Sequence, residues 1–266
     1  MKNTLLGLLA LTMLFSACSK NDGDNDPQHN WQLSRIMMDH DTVRFSYNAD
    51  GTIKQVNEYG SDAGSYSDSL QIIWQNGKIS AINEYEGGVA QPDMVFVYTG
   101  DQVKEIQHYR DGVLSGAVDS IVYKDNKISE IHYFNNEGVR SYYHKLTWTG
   151  NNVTRDEYYA YNFDGTGILT LQYITDYTYS DKPSIGKLAK GDALFWFTME
   201  IVHLSENAVV TSVTVDSITD EGISQSAYTY TYDAGGLLES SKETENDLVS
   251  DETTVYNAKF DYIDLK

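Results

Sequence analysis

Ile72-Ile73-Trp74-Gln75-Asn76-Gly77-Lys78-Ile79-Ser80-Ala81-Ile82-Asn83-Glu84-Tyr85 holds an aromatic-ended apolar run, an amide and glycine turn, and a second run. The same arrangement recurs along the chain. Phe45-Ser46-Tyr47 leads through Asn48-Ala49-Asp50-Gly51 into Ile53 to Tyr59, and Phe96-Val97-Tyr98 leads through Gly100-Asp101 into Val103 to Tyr109. Ile121-Val122-Tyr123 passes Asp125-Asn126 into Ile128 to Phe134, and Leu146-Thr147-Trp148 passes Gly150-Asn151 into Val153 to Tyr159. The pre-turn aromatics stand at 47, 74, 98, 123 and 148, in steps of 27, 24, 25 and 25. A regular period of this length marks a repeat architecture.

Each unit reads as a β-hairpin, because Asn, Asp and Gly tolerate the positive φ that matches a turn to the twist of its strands. The second run places apolar residues at every third position (Ile79, Ile82, Tyr85) and departs from clean alternation. Seven residues after a hairpin turn are too few for a helix. A bulged strand, or one half-buried on both faces, fits better. Longer polar connections carry second turn signals, Gly87-Gly88 and Asp111-Gly112, so short and long turns alternate. The expected fold is all-β: an antiparallel up-and-down meander of about 25-residue hairpin repeats, forming a curled sheet or a closed barrel-like domain.

The part after residue 160 is less regular. Tyr177-Thr178-Tyr179 opens a sixth unit that runs into Asp181-Lys182-Pro183. Ala193-Leu194-Phe195-Trp196-Phe197 is strongly apolar and reads as a short helix or a plug. Val209 to Val215 alternates as a strand, and Thr253 to Ile263 supplies a closing one. Tyr228 to Tyr232, Asp233-Ala234-Gly235-Gly236 and Leu237-Leu238 make a late hairpin. The stretch Tyr230 to Leu238 is similar to the YD repeats of secreted shell proteins. From residue 31 to 266 the chain resembles an uncharacterised surface lipoprotein family of gut Bacteroidota, grouped as a domain of unknown function with a porin-like fold. That resemblance implies a cell-envelope β-protein and lends no catalytic residues.

At the N-terminus, Lys2 precedes the short apolar run Leu5 to Phe15. The run falls well below the roughly 20 residues of a spanning helix and suits a secretory signal. Phe15-Ser16-Ala17-Cys18 resembles the bacterial lipobox, with Phe15 where Leu is usual. The resemblance implies cleavage before Cys18 and acylation of its thiol and new amine. An ordinary secretory signal with an incidental cysteine is the alternative. Cys18 is the only cysteine, so the exported chain has no disulfide to form. Residues 1–17 then form the signal peptide, 18–30 a lipidated acidic tether, and 31–266 one repeat-built β-domain, regular over 43–160 and less so over 161–266. The tether, with Asp22, Asp24 and Asp26, also resembles the acidic export signal of Bacteroidota surface lipoproteins. This places the protein at the outer membrane, lipid-anchored and facing the cell exterior. An EF-hand loop would require Gly at 27 and Glu at 33, where the chain has Pro27 and Leu33.

The formal net charge is −20, and removal of Lys2 with the leader makes it one unit more negative. Such a surface repels phosphate backbones, so nucleic acid is excluded as a partner, and it disfavours anionic lipid. The membrane is expected to be touched through the N-terminal lipid only. Strict alternation along the third unit puts Val103, Glu105, Gln107 and Tyr109 on one face and Lys104, Ile106 and His108 on the other. Neither face suits hydrocarbon, so a barrel that spans the membrane is not expected.

A hydrolase would need paired carboxylates. Glu58, Glu84 and His108 occupy equivalent positions, but equivalent strands of a meander lie roughly 9–10 Å apart, and a solvated polar ladder explains them. Glu105 and His108, three apart on a strand, point to opposite faces and cannot share a metal. Glu200 and His203 could do so only on a helix, with no further ligand nearby, so neither metal nor cofactor is expected. The aromatics are better candidates. Tyr59, Tyr85, Tyr109, Phe134 and Tyr159 repeat in register, and with Trp74 and Trp148 they offer faces on which sugar rings stack. The alternative is that they pack the sheet. The reading is a non-enzymatic lipoprotein that binds a glycan or a peptide. A structural or adhesive role is the second reading, and a glycan-active hydrolase the third.

Overall fold

A computed structural model describes residues 30–39, 41–60, 66–86, 88–161, 168–188 and 192–265. The signal peptide, Cys18 and nearly all of the expected tether lie outside them. Sixteen antiparallel strands follow one another as an up-and-down meander, and β1 (Trp31–Met38) pairs with β16 (Glu252–Asp264) to close a barrel. The sequence left a curled sheet and a closed barrel as alternatives, and the sheet closes.

The every-third-residue spacing has a local cause. Between β4 (Tyr66–Gln75) and β5 (Lys78–Glu86), Trp74 pairs with Ile79 while Ile73 pairs with Ala81, which leaves Ser80 as an extra residue. The bulge turns Ile79 and Ile82 to the same side. Lys54, Lys104, Ser129 and Thr154 are the extra residues of the corresponding hairpins. Hydroxyls repair the disrupted ladder at three of these bulges. Ser80 Oγ donates to the Ile73 carbonyl at 3.1 Å, Ser129 Oγ to Val122 at 3.2 Å, and Thr154 Oγ1 to Thr147 at 3.4 Å. The bulge at Lys104 also corrects the strict alternation expected for the third unit. Val103 joins Ile106 and His108 on the inner face of β7 (Gln102–Arg110), and Glu105, Gln107 and Tyr109 face outward.

The core lies inside the barrel. Ile53, Val56, Ile79, Ile82, Val103, Ile106, Ile128, Ile131 and Val153 are buried there in a single cluster. Each such side chain stabilises the fold by roughly 1.5–3 kcal/mol on burial. The outer wall carries ion pairs instead: Arg35–Asp261, Lys145–Glu157 and Arg155–Asp176. A membrane barrel needs the reverse, an apolar belt outward and polar groups inward.

At one end the hairpin turns are tight and polar. Here β12 (Leu169–Pro183) does not turn directly into β13 (Asn207–Asp216). The connecting segment folds back as 3-10 turns at Ile185–Leu188 and Ile201–Leu204 around a short helix, α1 (Ala193–Thr198). Ala193, Leu194, Phe195, Trp196, Ile201 and Leu204 join the barrel core, so the segment plugs this end. Trp196 meets Phe96 of the wall edge-on at 5.8 Å. Gly186 is required here, since a Cβ would lie 2.2 Å from the His203 carbonyl oxygen. Both chain termini of the barrel, Trp31 and Asp264, sit at this plugged end.

Candidate functional site

Polar side chains converge in two places, the interior of the far half and a cleft at the plugged end. In the interior, the strands from Gln102 to Pro183 turn a histidine and tyrosine lining inward. His108 Nε2 lies 2.8 Å from Asp119 Oδ2, and His144 Nδ1 lies 2.8 Å from Asp156 Oδ2. The hydrogen bond to Asp119, reinforced by its charge, holds the His108 imidazole above its ordinary pKa despite desolvation. Tyr133 stacks on Tyr142 at 4.2 Å, and Tyr158 on Tyr173 at 5.9 Å. Burial pushes the Tyr133, Tyr177 and Tyr228 hydroxyls far above their usual range, so they serve only as neutral hydrogen-bonding groups. On the plug, burial and the charge of Glu243 raise the Glu200 carboxyl, although its side chain keeps 61 % of its surface accessible. Water therefore enters the far half of the barrel. Residues 252–257 agree, being exposed on both faces of β16.

Glu200 and His203, whose spacing in the sequence reads as incidental, lie 3.4 Å apart. His203 also meets Thr198 Oγ1 through Nδ1 at 2.9 Å. Among the described residues no three histidine, cysteine or acidic groups are placed to share a metal ion. The second expectation, that Glu105 and His108 diverge, holds on opposite faces of β7.

The cleft lies between the plug and the turns joining β8 (Val113–Lys124) to β9 (Lys127–Phe134) and β10 (Arg140–Thr149) to β11 (Asn152–Tyr161). It has a volume of about 660 Å³, within the range of roughly 300–1,000 Å³ typical of small-molecule sites. Tyr123, Trp148, Trp196 and Leu204 give its apolar wall, and Lys127, Asp181, Lys187, Asp192, Glu206 and the amides of Asn126, Asn151 and Asn207 surround them. Lys127 Nζ sits 5.2 Å from the Trp148 ring centre and donates to the Gly150 carbonyl. Lys187 pairs with Asp192 at 2.7 Å. The plug is stitched to the wall beside the cleft, where Val153 N–H donates to Ser205 Oγ at 3.0 Å and Asn152 Nδ2 to Asn207 Oδ1 at 3.0 Å. The wall thus offers aromatic surface with donors and acceptors of both charges around it.

The candidate aromatics separate into two groups. Trp148 lines the cleft, and Trp74 occupies the equivalent inward position three hairpins away, its indole donating to Ile53. Tyr59, Tyr85, Tyr109 and Tyr159 lie on the outer wall, next to the far-end turns. Arg44 stands 5.1 Å over Tyr59, and Tyr159 stacks on Tyr143 at 4.4 Å. The two sets therefore share neither face nor end. The cleft groups Lys187, Asp192 and Glu206 were missed, because they belong to the segment that interrupts the repeat. Its one legible signal was the apolar run at 193–197.

No family model matches the chain, and no curated protein does. The fold is similar to the crystal structure of a porin-like protein from Bacteroides uniformis, with a TM-score of 0.59 at 10% identity over 87% of this chain and 98% of that one. A porin-like protein from Bacteroides vulgatus aligns over the same shares at 10% identity with a TM-score of 0.39. The chain thus has the fold of a porin-like Bacteroides protein, an all-β barrel.

Proposed function

We propose that the protein is a non-enzymatic, lipid-anchored envelope protein, held through Cys18 at the outer membrane facing outward, that binds a glycan in the cleft around Trp148. The observation that carries this reading is the cleft lining. Three aromatic side chains stand among paired lysines, carboxylates and amides, a set that hydrogen-bonds hydroxyl groups in either direction and suits a neutral ligand. A short peptide is the second ligand class, since extended backbone offers the same donors and acceptors. The porin-like neighbour from Bacteroides supports an envelope location.

A glycan-array screen on residues 28–266, followed by calorimetry, tests the reading. The expected result is binding without turnover, weakened at least tenfold in a Lys187→Ala/Asp181→Ala variant. Absence of binding to any glycan or peptide would favour a structural or adhesive role. Turnover of any ligand would refute both.

A further inference from the structure

The two ends of the barrel differ in a way that the cleft does not use. Turns at the plugged end present Asn76-Gly77, Gly100-Asp101, Asp125-Asn126 and Gly150-Asn151. Six far-end turns instead carry aliphatic side chains into solvent: Val89 58%, Val113 68%, Val139 43%, Ile168 63%, Ile218 72% and Val249 78% exposed. Single exposed aliphatics are ordinary, but six of them along successive turns of one rim are not. Directly behind this rim, the outer wall carries Tyr59, Tyr85, Tyr109 and Tyr159.

We propose that, in addition to the N-terminal lipid, the only membrane contact expected from the sequence, the far end rests on a lipid bilayer, with the aliphatic tips inserted and the tyrosines at headgroup level. The tips follow six consecutive turns of the barrel mouth, from β5 round to β16, instead of forming a compact patch, which matches a flat and featureless partner. Protein interfaces concentrate energy in buried Trp, Tyr and Arg anchors, and the tips have none. Apolar groups backed by tyrosine follow the membrane–water boundary. The reach of the chain allows it. Residues 18 to 30, fully drawn out, extend roughly 40 Å, whereas a ten-residue strand spans roughly 33 Å along its length. An anchor attached at the plugged end can therefore enter the same bilayer that the far end touches, leaving the cleft facing the medium. The carboxylates between the tips, among them Asp111, Asp220 and Asp251, restrict the surface to zwitterionic lipid.

Flotation with vesicles tests this on the chain without its leader and carrying Cys18→Ser, so that no acyl group contributes. The expected result is binding to phosphatidylcholine vesicles, reduced at least tenfold by Val113→Ser/Ile168→Ser/Ile218→Ser/Val249→Ser. Including phosphatidylglycerol at about one third of the lipid should weaken binding through repulsion, and added salt should restore it. The substituted side chains are solvent-exposed, and circular dichroism verifies that the variant is folded. Failure to float, or flotation unaffected by the four substitutions in a folded variant, overturns the proposal.

Discussion

The indole N–H of Trp74 donates to the carbonyl oxygen of Ile53 at 2.7 Å, and this bond is the unit from which the barrel end is built. Trp148 does the same to Ile128 at 2.7 Å, Tyr98 to Ile79 at 2.9 Å, Tyr230 to Val209 at 2.7 Å and Tyr262 to Leu238 at 3.0 Å. Tyr47 reaches Leu33 and Tyr179 reaches Val153. Each aromatic fills the core with its ring and satisfies, with its polar tip, a carbonyl of the adjacent strand. The strap continues across the closing seam, where Leu33 pairs with Tyr262 and Ser34 is the extra residue. Strands β16 and β1 thus behave as an eighth hairpin whose turn is cut by the chain ends.

The first prediction concerns this strap. Trp74→Phe keeps most of the apolar volume and leaves the Ile53 carbonyl without its donor. It should cost roughly 1–3 kcal/mol, whereas Trp74→Ala should cost roughly 3–5 kcal/mol. Urea unfolding of the two variants measures both. A Trp74→Phe cost near zero would mean that the ring alone matters.

Much of this order was legible beforehand. The 25-residue period, the turn residues and the pre-turn aromatics all followed from the local demands of a hairpin. The face assignment was not legible, because a bulge such as Lys104 shifts the parity of every later residue. The cleft escaped for a different reason. Its groups Lys187, Asp192 and Glu206 come from the plug, and long-range packing of Trp196 against Phe96 brings them to Trp148. No local pattern encodes that contact.

Gly186→Ala provides the second prediction. The new Cβ would meet the backbone of His203, which cannot rotate aside as a side chain would. The plug must shift, with an expected loss of roughly 2 kcal/mol or more and a changed Trp196 fluorescence. An unchanged melting temperature and emission spectrum would contradict the tight seat of the plug.

A third prediction follows from His203. Burial lowers its pKa from 6.5 to about 4, although Glu200 lies 3.4 Å away. Between pH 6.5 and 4 the unfolded chain takes up a proton that the folded chain excludes. Stability should therefore fall as the pH drops through this window, by up to roughly 3 kcal/mol. His203→Asn removes this dependence, while the opposite contribution of Glu200 remains. Chemical unfolding of both proteins at pH 7 and pH 4 reads the difference, and parallel pH profiles would count against a neutral buried imidazole.

The proposed anchor makes a fourth prediction. Cys18→Ala should release the protein from the strong attachment that survives washing. Replacing Asp22, Asp24 and Asp26 by Ala should leave it anchored but facing the periplasm. Surface protease sensitivity that persists in the triple variant would refute the export role of the tether.

The barrel carries its apolar core inside and ion pairs on its outer wall, and we propose that it stands on the membrane and not through it. All sixteen strands and the core lie between Trp31 and Asp264, so residues 28–266 should fold alone. Size-exclusion chromatography with thermal unfolding in plain buffer is the most direct measurement. The account predicts a monodisperse species with β-sheet circular dichroism and a cooperative melt. A protein that aggregates without detergent and folds only in micelles would contradict it.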